Sequence, residues 1–237
     1  MSGHNWKWPN RMHDDPTSDS KALWKSIHDK LPTREIKLGR ALAAVYVSDP
    51  RMLAFISARY KFVAKMIGGT DSVLEIGCGD GFGAPIVAQT VKNLLCTDIN
   101  EESLADNKER LAFVANLDFR YADFRADCLP RQFGAAYAVD VLEHVFPNEE
   151  EAFLGNIARS LIPHGVALFG TPNVTSEQYA SEYSRLGHVN LQSSAGMQKS
   201  LRRFFHNVFM FGMNDEVVHT GYAPMAHYLW ALCVDPI

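Results

Sequence analysis

Short apolar runs alternate with amphipathic stretches along most of the chain. The apolar runs predict five strands, at residues 73–76, 91–97, 117–122, 135–139 and 166–170. Helical spacing of apolar residues predicts helices at residues 20–31, 35–47, 51–67 and 101–113, with others starting near residues 85 and 148. This alternation indicates right-handed crossovers and a mostly parallel sheet that binds ligands at its carboxyl edge.

The last third of the chain carries a different pattern. Residues 207–213 and 227–234 are two apolar runs separated by a polar loop, which predicts an antiparallel pair. The fold class is therefore α/β, with a Rossmann-like, mostly parallel, seven-stranded sheet that ends in a C-terminal antiparallel hairpin. We divide the chain into an N-terminal arm with helices, residues 1–69, and a single globular domain, residues 70–237.

A glycine-rich turn follows the first predicted strand. Gly77 and Gly79 leave no Cβ between the backbone N–H groups and a ligand, which favours a nucleotide-like molecule. Gly81 and Gly83 let the next helix start close to the sheet. Glu75 precedes the turn, and its carboxylate would repel a pyrophosphate. A cationic group, such as the ammonium or sulfonium end of S-adenosylmethionine, suits this position better.

The spacing Glu-x-Gly-x-Gly-x-Gly resembles the first motif of the class I S-adenosylmethionine-dependent methyltransferases. The C-terminal hairpin resembles the pair of strands that separates this family from Rossmann dehydrogenases, and the resemblance extends from about residue 70 to the end. It implies a methyltransferase with S-adenosylmethionine as cofactor and S-adenosylhomocysteine as product. It also implies that the helices before the first strand form a lid.

Further cofactor contacts are expected at the strand ends. Asp98 ends the second strand and can accept both hydroxyls of a ribose, whereas Asn100 is better placed to cap the next helix. The resemblance places Asp123 near the adenine amino group with Phe124 on the ring, the alternative being an Asx turn. It also pairs Arg59 with the methionine carboxylate, unless this side chain only faces solvent. The predicted cofactor-binding residues are Glu75, Gly77, Cys78, Gly79, Asp98, Ile99, Asp123, Phe124, Asp140 and Arg59.

The candidate chemistry lies after the fourth strand. Asp140, Glu143 and His144 resemble the Glu-x-x-Glu-His motif of the ubiquinone-pathway O-methyltransferases and the small-RNA 2'-O-methyltransferases, which hold a divalent cation. His188 is a candidate for the further histidine of the RNA enzymes. Aspartate in place of the first glutamate has a shorter reach, and in many methyltransferases the pair works without metal, with the histidine as a base. We predict His188, His144 and Glu143 as catalytic residues and assign no metal ligand, with a divalent cation left open.

Two polar segments are expected to select the acceptor. Residues 171–194 follow a strand end and carry Tyr179, Tyr183, Arg185 and His188, and residues 214–222 carry several titratable groups. A hydrogen-bonding pocket favours methyl transfer to an oxygen or nitrogen of a polar small molecule, such as a sugar or a hydroxylated metabolite. The alternative is that both segments are ordinary solvated loops.

Composition narrows the class of protein. The 237 residues with 47% hydrophobic content suffice for one full core, and the net charge of -4 argues against a dedicated nucleic-acid binder. The four cysteines form no C-x-x-C pair, which indicates reduced thiols in the cytoplasm. We expect no signal peptide and no membrane span, because no apolar run approaches the roughly 20 residues that a span needs.

Three other functions remain open at this point. A dehydrogenase would use the same glycine turn but needs neither Glu75 nor the hairpin. An RNA 2'-O-methyltransferase would keep the acid and histidine cluster but should show a basic stripe, for which only Lys199, Arg202 and Arg203 are available. A non-catalytic subunit that binds S-adenosylmethionine is the third. The oligomeric state is left open.

Overall fold

The computed structural model describes residues 19–33 and 35–237. These described residues fall into two compact units that divide between Ile36 and Lys37. In the first unit, helix α1 (Ser20–His28) is exposed along its whole length. It begins after Asp19, whose side chain accepts a hydrogen bond from the backbone N–H of Lys21 at 2.9 Å. Of the predicted N-terminal arm and helices, residues 1–69, residues 1–18 and 34 lie outside the described residues.

The second unit contains the sheet and the remaining helices. The helices are α2 (Arg40–Ser48), α3 (Met52–Met66), α4 (Ala84–Ala88), α5 (Glu101–Arg110), α6 (Glu150–Ser160), α7 (Glu182–Gly187) and α8 (Ser194–Leu201). The strands are β1 (Ser72–Ile76), β2 (Asn93–Asp98), β3 (Leu117–Tyr121), β4 (Phe133–Val139), β5 (Leu161–Pro172), β6 (Phe205–Asn214), β7 (Val217–His219) and β8 (Tyr228–Pro236). Short 3₁₀ helices cover Leu142–His144, Val174–Tyr179 and Ala223–Met225.

The described strands form one sheet in the order β3-β2-β1-β4-β5-β8-β6-β7. The first five are parallel, while β8 runs antiparallel to both β5 and β6. The predicted Rossmann-like fold and its C-terminal antiparallel pair are therefore confirmed. The sheet has eight strands rather than seven. The additional strand, β7, pairs with β6 over only three residues and is too short to leave an alternating pattern in the sequence.

Side chains alternate across the central strands to fill two cores. In β1, Leu74 and Ile76 enter the core on one face of the sheet, and Val73 enters the core on the other. In β4, Ala136 enters the same core as Leu74, and Tyr137 enters the same core as Val73. Burial on both faces is typical of parallel strands covered by crossover helices, and it explains why these strands are continuously apolar in the sequence.

Helices α2 and α3 lie in the same compact unit as the sheet. The ring of Tyr60 occupies the place where a Cβ on Gly83 would stand, so this glycine lets α3 pack against the start of α4. The carboxylate of Asp80, in the glycine turn, accepts the backbone N–H of Leu42 at 2.8 Å and thereby caps the start of α2. The domain division predicted after residue 69 stays a prediction.

The helices and the cysteines of the described residues each show one further feature. No helix among them has both the length and the apolar character needed to cross a membrane. All four cysteines, Cys78, Cys96, Cys128 and Cys233, are unpaired, and burial raises the pKa of Cys78 and Cys233 well above the ordinary value for a thiol. Inert, buried thiols of this kind are structural.

Candidate active site

The glycine turn connects β1 to α4 through backbone that only glycine adopts without strain. Gly77, Gly79 and Gly81 have φ angles of 69°, 50° and 63°. A Cβ on Gly77 would lie 2.5 Å from Cγ2 of Val141, whereas a Cβ on Gly79 would meet nothing within 4 Å. Gly77 therefore packs against the end of β4, and Gly79 faces open space where a ligand can approach the backbone.

Gly77→Ala should destabilise the fold more than Gly69→Ala, which makes a matched control. Both positions have positive φ, and alanine there costs about 1–2 kcal/mol. Only the alanine at residue 77 also collides with Val141, which adds about 1–3 kcal/mol, because a Cβ at residue 69 meets nothing within 4 Å. Urea unfolding of both variants measures the difference. Equal losses would show that the collision is relieved without cost.

Asp98 ties the glycine turn to the end of β2. Its Oδ2 accepts the backbone N–H of Gly79 at 2.8 Å, and its Oδ1 accepts that of Asn100 at 2.9 Å. The side chain of Asn100 in turn caps α5, as predicted, by accepting the N–H of Ser103 at 3.0 Å. Each carboxylate oxygen keeps a lone pair for a ligand hydroxyl.

A cavity of about 330 Å³ lies against this turn, and we call it the glycine-turn cavity. Seven of the ten predicted cofactor-binding residues line it, namely Gly77, Gly79, Asp98, Ile99, Asp123, Phe124 and Asp140. The carboxylate of Asp123 is held on both oxygens by the guanidinium of Arg125, at 2.9 and 2.8 Å. These bonds lower the pKa of Asp123, so it stays ionised at the cavity wall.

Glu75 and Cys78 line neither described cavity, and their predicted contact with a ligand stays a prediction. Glu75 pairs in register with Cys96 and Tyr137 on the neighbouring strands and is 1% exposed. Cys96 Sγ donates to its Oε2 at 2.8 Å. Cys78 is also buried, and its side chain lies against Asn107. Because side chains alternate between the two faces of a strand, the side chain of Glu75 is buried in the core. The spacing of residues in the sequence did not reveal this direction.

Glu75→Gln should flatten the dependence of stability on pH. Burial raises the pKa of Glu75 to about 7 from its ordinary 4.5, so the native protein retains a proton that the unfolded chain has lost. This contribution is complete below pH 4.5 and is lost as the pH rises through about 7. Between pH 5 and 8 the variant should lose less unfolding free energy than the unmodified protein, by up to roughly 3 kcal/mol.

The control for this pH experiment is Glu109→Gln, on an exposed position of α5. Urea unfolding at closely spaced pH values gives the two slopes. If Glu75→Gln and Glu109→Gln show the same slope, the native carboxyl of Glu75 titrates at its ordinary pKa.

Arg59 of α3 reaches the carboxyl end of β4. Its Nη1 donates to Asp140 Oδ2 at 2.6 Å, and its guanidinium lies 4.1 Å from the centre of the Tyr228 ring. Burial alone would lower the pKa of Arg59, but the attraction of Asp140 outweighs it and the net pKa is raised. The other oxygen, Asp140 Oδ1, is buried and has no hydrogen-bond partner among the described residues. It is therefore available to a cationic ligand.

Glu143 begins the acid and histidine cluster. It is 1% exposed, and its Oε2 accepts the hydroxyl of Thr171 at 3.0 Å while Oε1 has no partner. Burial, followed by the neighbouring Asp140, raises the pKa of Glu143 well above its ordinary value. The carboxyl consequently retains its proton near neutral pH and can exchange it with a bound molecule.

His144 and His188 lie beside Glu143, with their ring centres 5.3 Å apart. His144 Nδ1 donates to the carbonyl of Gly187 at 2.8 Å, since a carbonyl only accepts, and this leaves Nε2 as the acceptor of the neutral ring. Burial lowers the pKa of His188, and the adjacent His144 lowers it further. The imidazole of His188 is thus suited to accept a proton at neutral pH.

The segment between β5 and α8 carries His188 to this place. The backbone N–H groups of Val189 and Asn190 donate to the carbonyl of Glu143 at 2.9 and 3.1 Å. Asn190 also donates its side chain to Glu150 at 2.7 Å. The predicted polar segment is therefore anchored to the acid and histidine cluster rather than being a loop free in solvent.

A second cavity, of about 630 Å³, opens above this cluster, and we call it the histidine cavity. Glu143, His144, His188 and Arg59 line it, together with Asp140. Asp140 and His144 line the glycine-turn cavity as well, so the two cavities meet at these residues. A methyl donor in the first and an acceptor in the second would approach each other beside the histidines.

Sequence reasoning missed several residues of the two cavities. In the glycine-turn cavity these are Val141, Val145, Phe153 and Arg125, and in the histidine cavity Asp49, Phe55, His227 and Tyr228. Most are apolar residues or lie in regular elements, so their local pattern indicates only packing. On the helices before β1, Tyr60 is buried against Gly83, and Tyr46 is exposed and lines neither cavity.

Comparison of the sequence with known proteins finds similar methyltransferases. Residues 74–169 match the model of a family described as a methyltransferase domain. A probable S-adenosylmethionine-dependent methyltransferase of Mycolicibacterium smegmatis is 31% identical over 115 residues, which are 48% of this chain and 42% of that protein. The ribosomal RNA small subunit methyltransferase A of Thermotoga petrophila is 32% identical over 98 residues, which are 40% of this chain and 35% of that protein.

Solved structures agree on the fold. The S-adenosylmethionine-dependent methyltransferase SibL, in its apo form, superposes with a TM-score of 0.63 at 15% identity, covering 92% of this chain and 68% of that one. The chain spans less than half the length of the two curated relatives described above. The match to the family covers β1 to most of β5 and therefore contains the glycine turn, Asp98 and the Glu143–His144 pair.

Proposed function

We propose that this chain, whose residues 74–169 match a family described as a methyltransferase domain, transfers a methyl group from S-adenosylmethionine to an oxygen or nitrogen of a polar small molecule. The observation that carries the proposal is the meeting of the two cavities at Asp140 and His144. One cavity is built on the glycine turn, and the other on three acid–base groups. The family match does not support the dehydrogenase alternative.

The residues present fit S-adenosylmethionine. Asp98 offers free lone pairs at the end of β2, where a ribose is expected, and Phe124 lines the same cavity. Asp140 Oδ1 is a buried acceptor without a partner, which suits the cationic methionine end. Arg59 is bonded to Asp140 Oδ2, so its predicted pairing with the methionine carboxylate would add a second contact to the same guanidinium.

The cofactor supplies an electrophilic methyl group on a positively charged sulfur. The contribution of the protein is to hold the acceptor in line with that methyl group and to remove a proton from it. We propose His188 as the base, since its pKa is lowered and it lines only the histidine cavity. His144 is the second candidate, because Nδ1 is bonded to Gly187 and Nε2 is left to accept, and Glu143 has an oxygen within 4.8 Å of a ring nitrogen of each histidine.

Calorimetric titration with S-adenosylmethionine, S-adenosylhomocysteine and NADH tests the proposal. We expect saturable binding of both adenosyl ligands and none of NADH. Slow methyl transfer to a mixture of polar acceptors would then distinguish an enzyme from a non-catalytic binding subunit. Failure of both adenosyl ligands to bind would remove the proposal.

The sequence analysis also left a divalent cation open at this site. Glu143, His144 and His188 each offer one ligand atom within 4.8 Å of the others, and these residues would hold the ion. Asp140, the first acid of the motif, is paired with Arg59, which weakens it as a ligand. The comparisons give no support to a cation. We expect dialysis against EDTA to leave turnover unchanged, and a loss restored by Mg²⁺, Mn²⁺ or Zn²⁺ would place a cation on the cluster.

RNA is the less favoured acceptor, although one curated relative is named as a ribosomal RNA methyltransferase. The basic stripe expected for RNA consists of Lys199, Arg202 and Arg203, and these residues line neither cavity. Arg203 is also paired with Glu151 at 2.7 Å. An acidic cavity repels phosphates, so we propose a small molecule as the partner. The unpaired cysteines support a reducing location such as the cytoplasm.

A further inference from the structure

The histidine cavity is lined mainly by acidic charge. Among its lining residues, Arg59 is the one basic side chain apart from the histidines. The acidic lining residues are Asp49, Asp140, Glu143, Glu177 and Asp215.

Three of these acids are accounted for within the protein. Asp140 pairs with Arg59 at 2.6 Å, and Asp49 pairs with Arg51 at 2.8 Å. Glu143 is buried, and its Oε2 accepts the hydroxyl of Thr171 at 3.0 Å. Glu177 and Asp215 remain, and neither takes part in an ion pair with another residue in the described part of the chain. Two carboxylates therefore face this cavity without a cation.

The two free carboxylates stand on different segments around the histidines. Glu177 lies in the 3₁₀ helix after β5, and Asp215 lies in the tight turn between β6 and β7. The negative charge of Glu177 interacts with the imidazole of His188. This interaction acts to raise the pKa of His188, against the larger effects of burial and His144 that lower it. Neither acid lines the glycine-turn cavity, so they do not serve the cofactor expected there.

Buried acceptors without partners point to a ligand that donates several hydrogen bonds. Glu143 is 1% exposed and Tyr228 is 3% exposed, and both line the histidine cavity. Glu143 Oε1 and the Tyr228 hydroxyl have no hydrogen-bond partner in the described chain. Leaving such atoms unsatisfied is costly. An ammonium group has three N–H donors, and its charge favours the ionised form of Glu143, in which both carboxylate oxygens accept hydrogen bonds.

We propose that the acceptor is a small molecule with a protonated amine, drawn into the histidine cavity by Glu177 and Asp215. This inference rests on the methyltransferase function proposed above and narrows its acceptor. Anionic acceptors, such as phosphates and carboxylates, are repelled by the same two charges. The amine is also the group that we expect to be methylated, because the free acids and the histidines line the same cavity.

The reaction balances without another reactant. The ammonium first gives one proton to the base of the site, which releases it to solvent. The nitrogen lone pair then forms a bond to the methyl carbon as the carbon–sulfur bond breaks, and that electron pair stays on sulfur. The products are a methylated ammonium ion, neutral S-adenosylhomocysteine and one proton.

Matched pairs of probes test the proposal on the full chain saturated with S-adenosylhomocysteine. Glucosamine against glucose, and tyramine against tyrosol, each differ by an ammonium in place of a hydroxyl. Calorimetry should show each amine binding roughly tenfold more tightly than its partner, the scale of one charge-assisted hydrogen bond. The preference should fall as salt is added, because both acids are exposed.

Two double variants test which carboxylates cause the preference for amine over hydroxyl probes. In Glu177→Gln with Asp215→Asn, the amine and hydroxyl probes should bind equally. Glu182→Gln with Glu216→Gln removes the same charge from exposed neighbours that do not line the cavity, and it should keep the preference. Equal binding within the pairs, no binding of either amine, or a preference that survives the first variant would each overturn the proposal. Saturation with S-adenosylhomocysteine is measured first, so loss of the methyltransferase function itself would be seen separately.

Discussion

His188→Ala should lower kcat by about 10²- to 10⁴-fold while leaving the affinity for S-adenosylmethionine unchanged, the range for loss of a positioned general base. We expect kcat to fall without a change in cofactor affinity because His188 lines the histidine cavity and does not line the glycine-turn cavity. Steady-state kinetics with an amine acceptor gives kcat, and calorimetry gives the cofactor dissociation constant.

The pH profile distinguishes a base from a packing residue. In the unmodified protein, kcat/KM should fall as the pH decreases through the pKa of His188, which burial and His144 place below its ordinary 6.5. The variant should lose this acid limb. His206→Ala, on an exposed position of β6, is the control and should keep both rate and profile. A full rate with an unchanged acid limb in His188→Ala would assign the base to His144 instead.

Asp98→Ala should weaken cofactor binding by about 1–3 kcal/mol, which is roughly 10- to 100-fold in the dissociation constant. The carboxylate has a dual position: it holds the backbone N–H groups of Gly79 and Asn100, and its remaining lone pairs face the glycine-turn cavity. Loss of the side chain therefore removes a ligand contact and loosens the turn. Calorimetric titration with S-adenosylhomocysteine measures the loss.

Asp98→Asn separates these two contributions. The amide oxygen can still accept one of the backbone N–H groups, so the turn should remain partly held while the charge is lost. Glu109→Gln removes an exposed charge from α5 outside both cavities and should bind normally. Unchanged affinity in Asp98→Ala, with a folded protein by circular dichroism, would exclude Asp98 from the cofactor site.

The positions of the residues around the glycine-turn cavity were predictable because these residues follow strand ends directly. Asp98 closes β2, and Gly77 and Gly79 follow β1, so a correct reading of two parallel strands places all three at one edge of the sheet. Asn100 was identified as the cap of α5 for a similar reason, since a capping side chain bonds within its own turn. Predictions of this kind need only the order of residues along the chain.

Glu75 shows where that reasoning stops. Its position before the glycine turn suggested a ligand contact, but register with Cys96 and Tyr137 directs its side chain into the core. Which face of a continuously apolar strand a residue occupies is not visible in the sequence, because both faces are buried. The same limit applies to β7, which pairs over three residues.

The sequence by itself determined the parallel α/β sheet, the antiparallel end, the glycine turn and the carboxylate of Asp98, because each depends on local periodicity or on turn chemistry. Only the tertiary structure decided which distant groups meet. Arg59 and Asp140 are 81 residues apart and form an ion pair, and His188 reaches Glu143 through backbone bonds from the residues that follow it. The two free acids of the histidine cavity likewise come together from separate segments. Such contacts depend on strand order and side-chain direction, which no local pattern records.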